Sequence, residues 1–456
     1  MRLEPLLLAI CLLLLPEVAA SPADAPPLAL ECAERRARLA ADWAEEIAAG
    51  SLEPGMLILA GAPASERTRF LQADNFFYLT GIASPGVTAI LTPSTPSGQQ
   101  TEILFLPPPS QQSVLWHGPE LAFHEDAAAT TAFRQVRKKS EFRQVAADLI
   151  QASRIIYFLD EPGEEPGISR QRVLRQISGI QGSDAWDLLP LEQLVHRRRR
   201  IKSEFEIERI TEAVVATAQG LAAGAAAAAP GAFEYQVQAA IEGRFVAAGA
   251  EGPGFPSIVG SGPNSCILHY TQNRRRMEAG EVLLLDVGAR VGQYTADVTR
   301  TIPVSGRFTK RQRDLYVIVL EAQQAAAEAA RPGMTLDELH QVAARVISSG
   351  LVRLGLLPGE AGESLSKQAY RRYLPHGTSH WLGLAVHDVG RGPLEPGTVF
   401  TIEPGIYLPG ERIGVRIEDD YVMTDSGRAV RLSVGIPRGV DEVEQWVQTL
   451  RADRGH

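Results

Sequence analysis

The feature that most constrains this sequence is a pair of aspartates in two neighbouring apolar segments. Asp286 ends the run EVLLLD, and Asp297 lies in the next extended segment, GQYTAD. A buried charge without a partner costs several kcal/mol. If the two segments form a hairpin that turns at Val291 and Gly292, Asp286 lies directly opposite Asp297, with Cβ atoms about 5 Å apart. Such a pair requires a cation, a shared proton, or exposure to water.

Length and composition describe a soluble globular protein with more than one domain. The chain has 456 residues, of which 45% are apolar and 22% are charged. This length predicts two or three domains. The formal net charge of −9 argues against a protein whose main partner is nucleic acid.

Residues 1–20 predict a secretory signal peptide. Arg2 precedes an apolar stretch from Leu6 to Leu15, and small residues follow up to Ala20, where we place the cleavage site. An uncleaved membrane anchor is the alternative. The apolar stretch is short for a bilayer span, and the pattern offers no other candidate. We therefore expect a secreted or periplasmic protein without a stable membrane span after cleavage.

Residues 21–195 predict an α/β domain. Short apolar runs bounded by Gly, Pro and Ser alternate with helical stretches, as buried strands do. The strand candidates are GMLILAG, VTAILT, TEILFLP and RIIYFLD. The basic run HRRRRIK at 196–202 then marks a domain boundary. A site for nucleic acid or anionic membrane is the alternative, but the acidic remainder of the chain favours a solvated linker.

Residues 196–456 predict a second domain with both helices and strands. A further helix is expected around 234–248, and strand-like runs follow it. Three helices are expected to begin at capping boxes, in which Ser or Thr is followed three residues later by Glu or Gln. The boxes are Ser203 with Glu206, Thr309 with Gln312, and Thr335 with Glu338.

Two glutamates lie in segments where glutamate is uncommon. Glu403 follows the apolar run VFTI, and Glu418 follows GVRI. Glutamate is depleted in strands, so each position needs a reason. Exposure at a sheet edge explains either residue alone, and we expect Asp419 and Asp420 to be exposed or in a turn.

Histidines cluster beside these acidic residues. His376, His380 and His387 fall within PHGTSHWLGLAVHD, and His269 lies upstream in CILHYTQN. The spacing of the first two is that of a zinc-binding helix, but Pro375 and Gly377 disfavour a helix and the glutamate of that motif is missing. A lone histidine is more often structural or exposed than a ligand.

The ordered set Asp286, Asp297, His380, Glu403 and Glu418 resembles the five metal ligands of the pita-bread (creatinase-fold) metallopeptidases. That group comprises methionine aminopeptidase, aminopeptidase P and prolidase. The flanking segments CILHYT, LLLDVG, YTADVTRTIPVSG, HGTSHWLGLAVHDVG, TIEPGIY and VRIEDDYVMT are most similar to the aminopeptidase P and prolidase branch. FLQADNFFYLTGI resembles that branch's N-terminal domain. The resemblance implies such an α/β domain at 21–195 and an α+β pita-bread catalytic domain at 196–456.

The resemblance implies a role for each matched ligand. Asp297 and Glu418 would bridge two divalent metal ions. Asp286 would bind one ion, and His380 and Glu403 would bind the other. The family implies Mn²⁺, and this oxygen-rich set also suits Co²⁺, Fe²⁺ or Zn²⁺.

Further residues receive catalytic or substrate-binding roles from the same resemblance. Glu403 would accept a proton from water, and His269 and His387 would contact the substrate and the tetrahedral intermediate. A protonated histidine would help the amine to leave. The remaining matched residues would contact the substrate or support the ligands, and these are His376, Tyr407 and Arg416.

The function implied is that of an exported Xaa-Pro aminopeptidase, acting on proline-containing peptides as a homodimer or homotetramer. A prolidase, which cleaves Xaa-Pro dipeptides, has the same ligands and is the nearest alternative. A metal-free creatinase-fold hydrolase or binding module is a more remote one, since such relatives lose several ligands. The segment after His387 is short, and Arg391 is its only basic residue that could reach a substrate. Trp116 resembles an N-domain tryptophan that reaches a neighbouring subunit's site.

Overall fold

The structure is a computed structural model that describes residues 26–452, apart from 65–68, 96, 119–120, 125, 151–153 and 166. The predicted signal peptide lies outside the described residues. Two compact units make up the chain, and the division falls between Arg199 and Arg200. This is a few residues beyond the predicted boundary between 195 and 196.

The first unit contains a mixed β-sheet. Its strands are β1 (Met56–Ala60), β2 (Thr88–Leu91), β3 (Glu102–Leu106), β4 (Gln135–Lys138), β5 (Ile155–Phe158) and β6 (Asp187–Pro190). Within the described residues the strand order is β4-β3-β2-β1-β5-β6. β1 pairs antiparallel with β2 and parallel with β5. The four strands predicted from apolar runs are β1, β2, β3 and β5, and they are confirmed. The sequence reasoning missed β4 and β6, which form largely exposed edges of the sheet.

The first unit also contains helices, some of which pack against this sheet. They are α1 (Pro27–Ala48), α2 (Asp74–Thr80), α3 (Gln111–His117), α4 (Ala127–Thr131), α5 (Phe142–Leu149), α6 (Ile168–Ile177) and α7 (Glu192–Arg200), with 3₁₀ turns at Lys139–Glu141 and Ser183–Ala185. The last residue of α7 belongs to the second unit. Apolar side chains of α5 and α6, including Phe142 and Val173, pack with sheet residues such as Ile58 and Phe105 in one buried cluster.

The arginines at the end of α7 form ion pairs and hydrogen bonds with specific residues of the protein. Arg197 and Arg198 form ion pairs with Glu46 and Asp42 of α1. Arg199 is buried, and its Nη1 donates to Asn75 Oδ1 at 2.7 Å. These pairings account for much of the positive charge without a nucleic acid or a membrane.

The second unit is an α+β domain, as predicted. Its helices are α8 (Glu204–Ala227), α9 (Glu234–Ala247), α10 (Lys310–Ala329), α11 (Leu336–Arg353), α12 (Ala361–Ser366) and α13 (Val440–Ala452), with 3₁₀ turns at Gly262–Cys266 and Ala369–Arg372. The three predicted capping boxes are confirmed at the starts of α8, α10 and α11. The predicted helix near 234–248 corresponds to α9.

The second unit also contains small antiparallel sheets, whose strands contain or flank most of the predicted metal ligands. Their strands are β7 (Gly252–Pro253), β8 (Ile258–Ser261), β9 (Val282–Val287), β10 (Ala289–Val291), β11 (Tyr294–Thr295), β12 (Val298–Pro303), β13 (Val399–Ile402), β14 (Gly405–Leu408), β15 (Ile413–Arg416), β16 (Asp419–Met423) and β17 (Ala429–Arg431). Within the described residues the strand orders are β11-β10-β7, β12-β9-β8, β13-β16-β17 and β14-β15.

One large apolar core unites these helices and strands. In α10, Leu315, Ile318, Val319 and Ala322 are fully buried, at the spacing of one helical face. Each such Leu, Ile or Val stabilises the fold by about 1.5–3 kcal/mol. Among the described residues, α8 has the length and hydropathy of a membrane span, but 56% of its most apolar window is buried inside the protein. We therefore interpret α8 as a core helix of this unit.

The hairpin that carries Asp286 has a different register from the predicted one. Asp286 pairs with Thr299, not with Asp297. Val291 pairs with Tyr294, so the turn consists of Gly292 and Gln293, whose φ values are 56° and 66°. A two-residue type I′ turn requires positive φ at both positions, which β-branched Val291 disfavours. The predicted direct pairing is therefore wrong, but a shift of two residues keeps the side chains on the same face of the sheet.

Candidate metal centre

The five predicted metal ligands come together around one cavity in the second unit. The cavity has a volume of about 280 Å³. Asp286, Asp297, His380, Glu403 and Glu418 all line it. These residues are far apart in sequence, so the fold itself must assemble the cluster.

Backbone pairing between strands and loops holds the ligands in place. His380 and Glu403 are fixed relative to each other, because Thr401 N donates to His380 O at 2.9 Å and Glu403 N donates to Thr378 O at 2.8 Å. Glu418 lies between β15 and β16, and its N–H donates to Thr299 O of β12 at 3.1 Å. Asp286 lies within β9, where it pairs with strands on both sides. Asp297, Glu403 and Glu418 lie next to the ends of paired strands, which limits their backbone freedom.

The centre of the cluster is formed by Asp297, His380 and Glu418. One ligand atom from each lies within 4.8 Å of the others, which is close enough to hold a metal ion. His380 Nε2 is 3.4 Å from Asp297 Oδ2, 3.5 Å from Glu403 Oε1 and 3.8 Å from Glu418 Oε1. A single imidazole nitrogen therefore faces oxygens of three carboxylates.

The tautomer of His380 suits a ligand that binds through Nε2. Its Nδ1 lies 3.1 Å from the Trp381 carbonyl oxygen, which can only accept a hydrogen bond, so Nδ1 carries the proton. Burial and the neighbouring His387 lower the pKa of His380 to about 3, so the ring is neutral. Nε2 then presents a lone pair to the carboxylates, an arrangement that a cation between them would stabilise.

Unsatisfied carboxylate oxygens fit a metal centre as well. Asp286 Oδ1, Asp297 Oδ1 and Glu418 Oε1 are buried and have no hydrogen-bond partner among the described residues. Buried polar atoms are rarely left in this state, because each costs about 1–3 kcal/mol. Three such atoms on predicted ligands, beside a deprotonated Nε2, form the donor set that a divalent cation requires.

The electrostatics of the metal-free site lead to the same conclusion. Burial, and then Glu418 and Asp286, raise the pKa of Asp297 well above its usual range. Burial, and then Glu403, does the same for the pKa of Glu418. Burial raises the pKa of Glu403 to about 8, although Arg416 opposes this shift. These carboxylates cannot all ionise together without added positive charge.

A hydrogen-bonded relay joins His376, Tyr407 and Arg416. Arg416 Nη1 donates to the Tyr407 hydroxyl at 2.9 Å, and this hydroxyl donates to His376 Nε2, also at 2.9 Å. His376 Nδ1 donates to the Gly377 carbonyl oxygen, and burial together with Arg416 lowers the pKa of His376 to about 4. Arg416 also bonds Asp286 through Nη2. Arg416 and His376 line the cavity, and buried Tyr407 lies behind them.

The two other predicted histidines also line the cavity. His269 and His387 face it, and the ring centroids of His380 and His387 are 4.3 Å apart. Burial, and then His269, lower the pKa of His387. A lowered pKa favours the neutral imidazole, which can donate one hydrogen bond and accept another. Leu268 and Ser379, which the sequence did not single out, also line the cavity.

Two acidic residues behind the site are buried, and the prediction that they are exposed is wrong. Asp419 and Asp420 are both 0% exposed. Asp420 Oδ2 accepts the backbone N–H of Asp297 at 3.1 Å. Asp419 pairs with buried Arg300 at 2.6 Å, and Arg300 also donates to the Glu418 carbonyl oxygen. Strand alternation was the signal that the sequence reasoning missed. It puts residues 418 and 420 on one face and residue 419 on the opposite face, where Asp419 meets Arg300.

The position of Arg391 bears on substrate contacts. Arg391 is exposed and is not among the described residues that line the cavity. The sequence expectation that it reaches a substrate receives no support from this placement.

Comparison with known proteins identifies the family. Residues 208–425 match the family described as metallopeptidase family M24, and residues 32–157 match the aminopeptidase P N-terminal domain. The Xaa-Pro aminopeptidase of Escherichia coli (strain K12) is 34% identical over 425 residues, which cover 88% of this chain and 95% of that protein. The chain belongs to metallopeptidase family M24. The predicted resemblance to its aminopeptidase P and prolidase branch is confirmed, and the chain is a metallo-aminopeptidase of the pita-bread fold.

Other M24 members support this assignment. Xaa-Pro aminopeptidase 3 of Homo sapiens is 32% identical over 392 residues, covering 82% of this chain and 76% of that protein. The solved structure of aminopeptidase P from E. coli with the inhibitor Pro-Leu superposes with a TM-score of 0.83 at 31% identity, covering 93% of this chain and 99% of that one. The M24 family implies divalent metal ions, which is consistent with the donor set described above.

Proposed function

We propose that this protein is an exported, dinuclear-metal Xaa-Pro aminopeptidase that hydrolyses the bond between an N-terminal residue and a penultimate proline. The observation that carries the proposal is the convergence of Asp286, Asp297, His380, Glu403 and Glu418 on one cavity. The relatives from E. coli and Homo sapiens are both Xaa-Pro aminopeptidases.

The arrangement of the ligands suits two cations. Asp297 and Glu418 lie at the centre of the cluster and would bridge the ions. Asp286 would complete one side, and His380 with Glu403 would complete the other. When bound, two divalent cations acidify a shared water and offset the negative charge that develops on the substrate carbonyl oxygen. We propose Mn²⁺ as the physiological ion, because the ligands are mostly carboxylates.

The protein's own side chains then handle the proton and orient the substrate. Glu403 lines the cavity and has an oxygen 3.5 Å from His380 Nε2, so it is placed to accept a proton from the attacking water. It can pass that proton to the amine nitrogen as the C–N bond breaks. His387 and His269, which both line the cavity, would hydrogen-bond the substrate. The relay from Arg416 through Tyr407 fixes His376 at the cavity wall, 3.7 Å from Glu403.

Selectivity for proline has a chemical reason. An Xaa-Pro bond is a tertiary amide without an N–H, so peptidases that bind the scissile N–H cannot use it. An enzyme for this bond recognises the ring and the free α-amino group instead. Both the aminopeptidase and the prolidase reactions meet this description, and a length series of peptides separates them.

The test uses the full-length enzyme, demetallated and reloaded with Mn²⁺. We expect release of the N-terminal residue from Arg-Pro-Pro and longer peptides, and little turnover of Gly-Pro. Efficient cleavage of Gly-Pro alone would identify a prolidase and contradict the proposal. Arg-Ala-Ala is the matched control for proline selectivity, and we expect it to resist cleavage.

Export and assembly are further parts of the proposal. Residues 1–20 would direct the chain to a secreted or periplasmic location, which fractionation and N-terminal sequencing of the mature protein test. A mature N-terminus at Met1 would contradict signal cleavage.

We also propose a homodimer or homotetramer. On α3, Leu115 and Trp116 are 83% and 72% exposed, which is typical of an interface. Trp116→Ala should then lower the molar mass measured by light scattering.

A further inference from the structure

A buried ion pair lies directly behind the turn that carries His387. Lys202 Nζ donates to Asp388 Oδ2 at 3.0 Å, and the two side chains are 0% and 2% exposed. Asp388 immediately follows His387 in the chain. Lys202 comes from the basic run at the start of the second unit, about which the family resemblance implies nothing.

The imidazole of His387 has little else to hold it. It faces the cavity but forms no hydrogen bond within the described part of the chain. Apart from the contact of its ring with that of His380, its position depends on the backbone of residues 381–388, which we call the histidine turn. Asp388 N donates to Trp381 O at 2.9 Å and closes this turn.

The ion pair is built into the histidine turn at close quarters. A Cβ on Gly383 would lie 2.1 Å from Asp388 Oδ2 and 3.0 Å from Lys202 Cε, so the turn passes directly over the pair. The carbonyl of Gly383 accepts the backbone N–H of Thr295 at 2.9 Å, close to Asp297 in sequence. The same glycine therefore joins the ion pair to the segment that carries a metal ligand.

Lys202 is itself anchored to the strand that leads to Glu403. Its N–H donates to Gly397 O at 2.8 Å, and Ile201 forms a bridge with Thr398 just before β13. The neighbouring Arg200 donates to Pro393 O and pairs with Glu395, beyond the histidine turn. Segment 200–202 therefore contacts the stretch between His387 and Glu403 near both of its ends, at Asp388 and at residues 397–398.

We propose that Lys202 is a positioning residue for His387, acting through Asp388 and the histidine turn. The inference rests on the proposed function, in which His387 contacts the substrate. Removing the ammonium takes a buried, hydrogen-bonded cation away from the Asp388 carboxylate, which destabilises the local backbone. His387 then loses its alignment, and misplacement of a catalytic group by about 1 Å can cost up to about 100-fold in rate.

The experiment is a double-mutant cycle on the reloaded full-length enzyme with Arg-Pro-Pro. Lys202→Met is combined with His387→Ala, and kcat, KM, bound metal per chain and Tm are measured for each protein. We expect Lys202→Met to lower kcat by at least about tenfold while the bound metal is unchanged. In the His387→Ala background the same change should cost less than about threefold, because the group it positions is already absent.

Equal losses in both backgrounds would overturn the proposal, since a purely structural role has additive effects. Arg36→Met is the matched control, because Arg36 forms a buried ion pair with Glu102 at 2.8 Å in the first unit. It should lower Tm without coupling to His387→Ala. If Lys202→Met does not fold, Asp388→Asn replaces it in the cycle, and Lys202→Arg should restore part of kcat. A wild-type enzyme inactive on Arg-Pro-Pro would refute the proposed function itself, whereas an active wild type without coupling refutes only this inference.

Discussion

Replacement of Asp297 by asparagine should stabilise the metal-free protein and at the same time abolish the enzyme's activity. Asp297 is 4% exposed, and burial together with Glu418, Asp286, Asp420 and Glu403 raises its pKa. In the metal-free protein this carboxylate is therefore a source of repulsion. An asparagine at this position would carry no charge, and its amide could donate to the Nε2 of His380, which lies 3.4 Å from Asp297 Oδ2. The backbone N–H that binds Asp420 is unaffected by the change.

The magnitude follows from these contacts. A substitution that removes such charge repulsion commonly raises the free energy of unfolding by about 0.5–2 kcal/mol. For a unit of this size, that corresponds to a rise in Tm of roughly 2–6 °C in the presence of a chelator. At saturating metal we expect the wild type to have the higher Tm. A ligand at 100 times its Kd stabilises the wild type by about 2.7 kcal/mol, whereas the variant, without a bridging carboxylate, gains much less.

The assay is thermal unfolding of both proteins, with chelator and with Mn²⁺, together with turnover of Arg-Pro-Pro. We expect the variant to melt above the wild type in chelator, to melt below it in Mn²⁺, and to have no measurable activity. Asp314→Asn is the control, because Asp314 lies on the surface beside Lys310 and should change neither quantity. A variant that is no more stable than wild type in chelator, or that gains as much from Mn²⁺, would refute the reasoning.

Three further predictions concern single side chains. Glu403→Gln should reduce kcat by about 10²–10⁴-fold, since it removes the proton acceptor; retention of wild-type kcat would exclude that role. Tyr407→Phe removes the hydroxyl between Arg416 and His376, and we expect a rise in KM for Arg-Pro-Pro with little change in bound metal; unchanged steady-state kinetics would show that the relay does not orient His376 toward the substrate. Cys266→Ser should leave activity and metal content unchanged, because Cys266 packs against apolar residues and offers no ligand; loss of metal would contradict the ligand assignment.

Much of the fold was predictable because local signals agreed with tertiary packing. The helices at Ser203, Thr309 and Thr335 begin at capping boxes, which are recognised by side-chain chemistry within one turn. The buried strands of the first unit are continuous apolar runs. Its exposed edge strands β4 and β6 have no such pattern, so nothing local distinguished them from loops.

The candidate site was predictable in composition but not in geometry. Carboxylates in apolar segments drew attention to Asp286 and Asp297, and the family resemblance gave them ligand roles. Their register depended on a turn that requires positive φ at Gln293. Asp419 could not be placed, because its burial depends on Arg300, which is distant in sequence. Lys202 was hidden for the same reason, since a basic run near a domain boundary resembles a solvated linker until its partner is known.

Anomalous diffraction from crystals of the Mn²⁺-loaded enzyme tests the central claim most directly. We predict two peaks in the cavity of the second unit, about 3.5–4 Å apart. The carboxylates of Asp297 and Glu418 should lie between them, with Asp286 at one ion and His380 and Glu403 at the other. The absence of peaks at this cavity, or peaks bound elsewhere on the protein, would contradict the account.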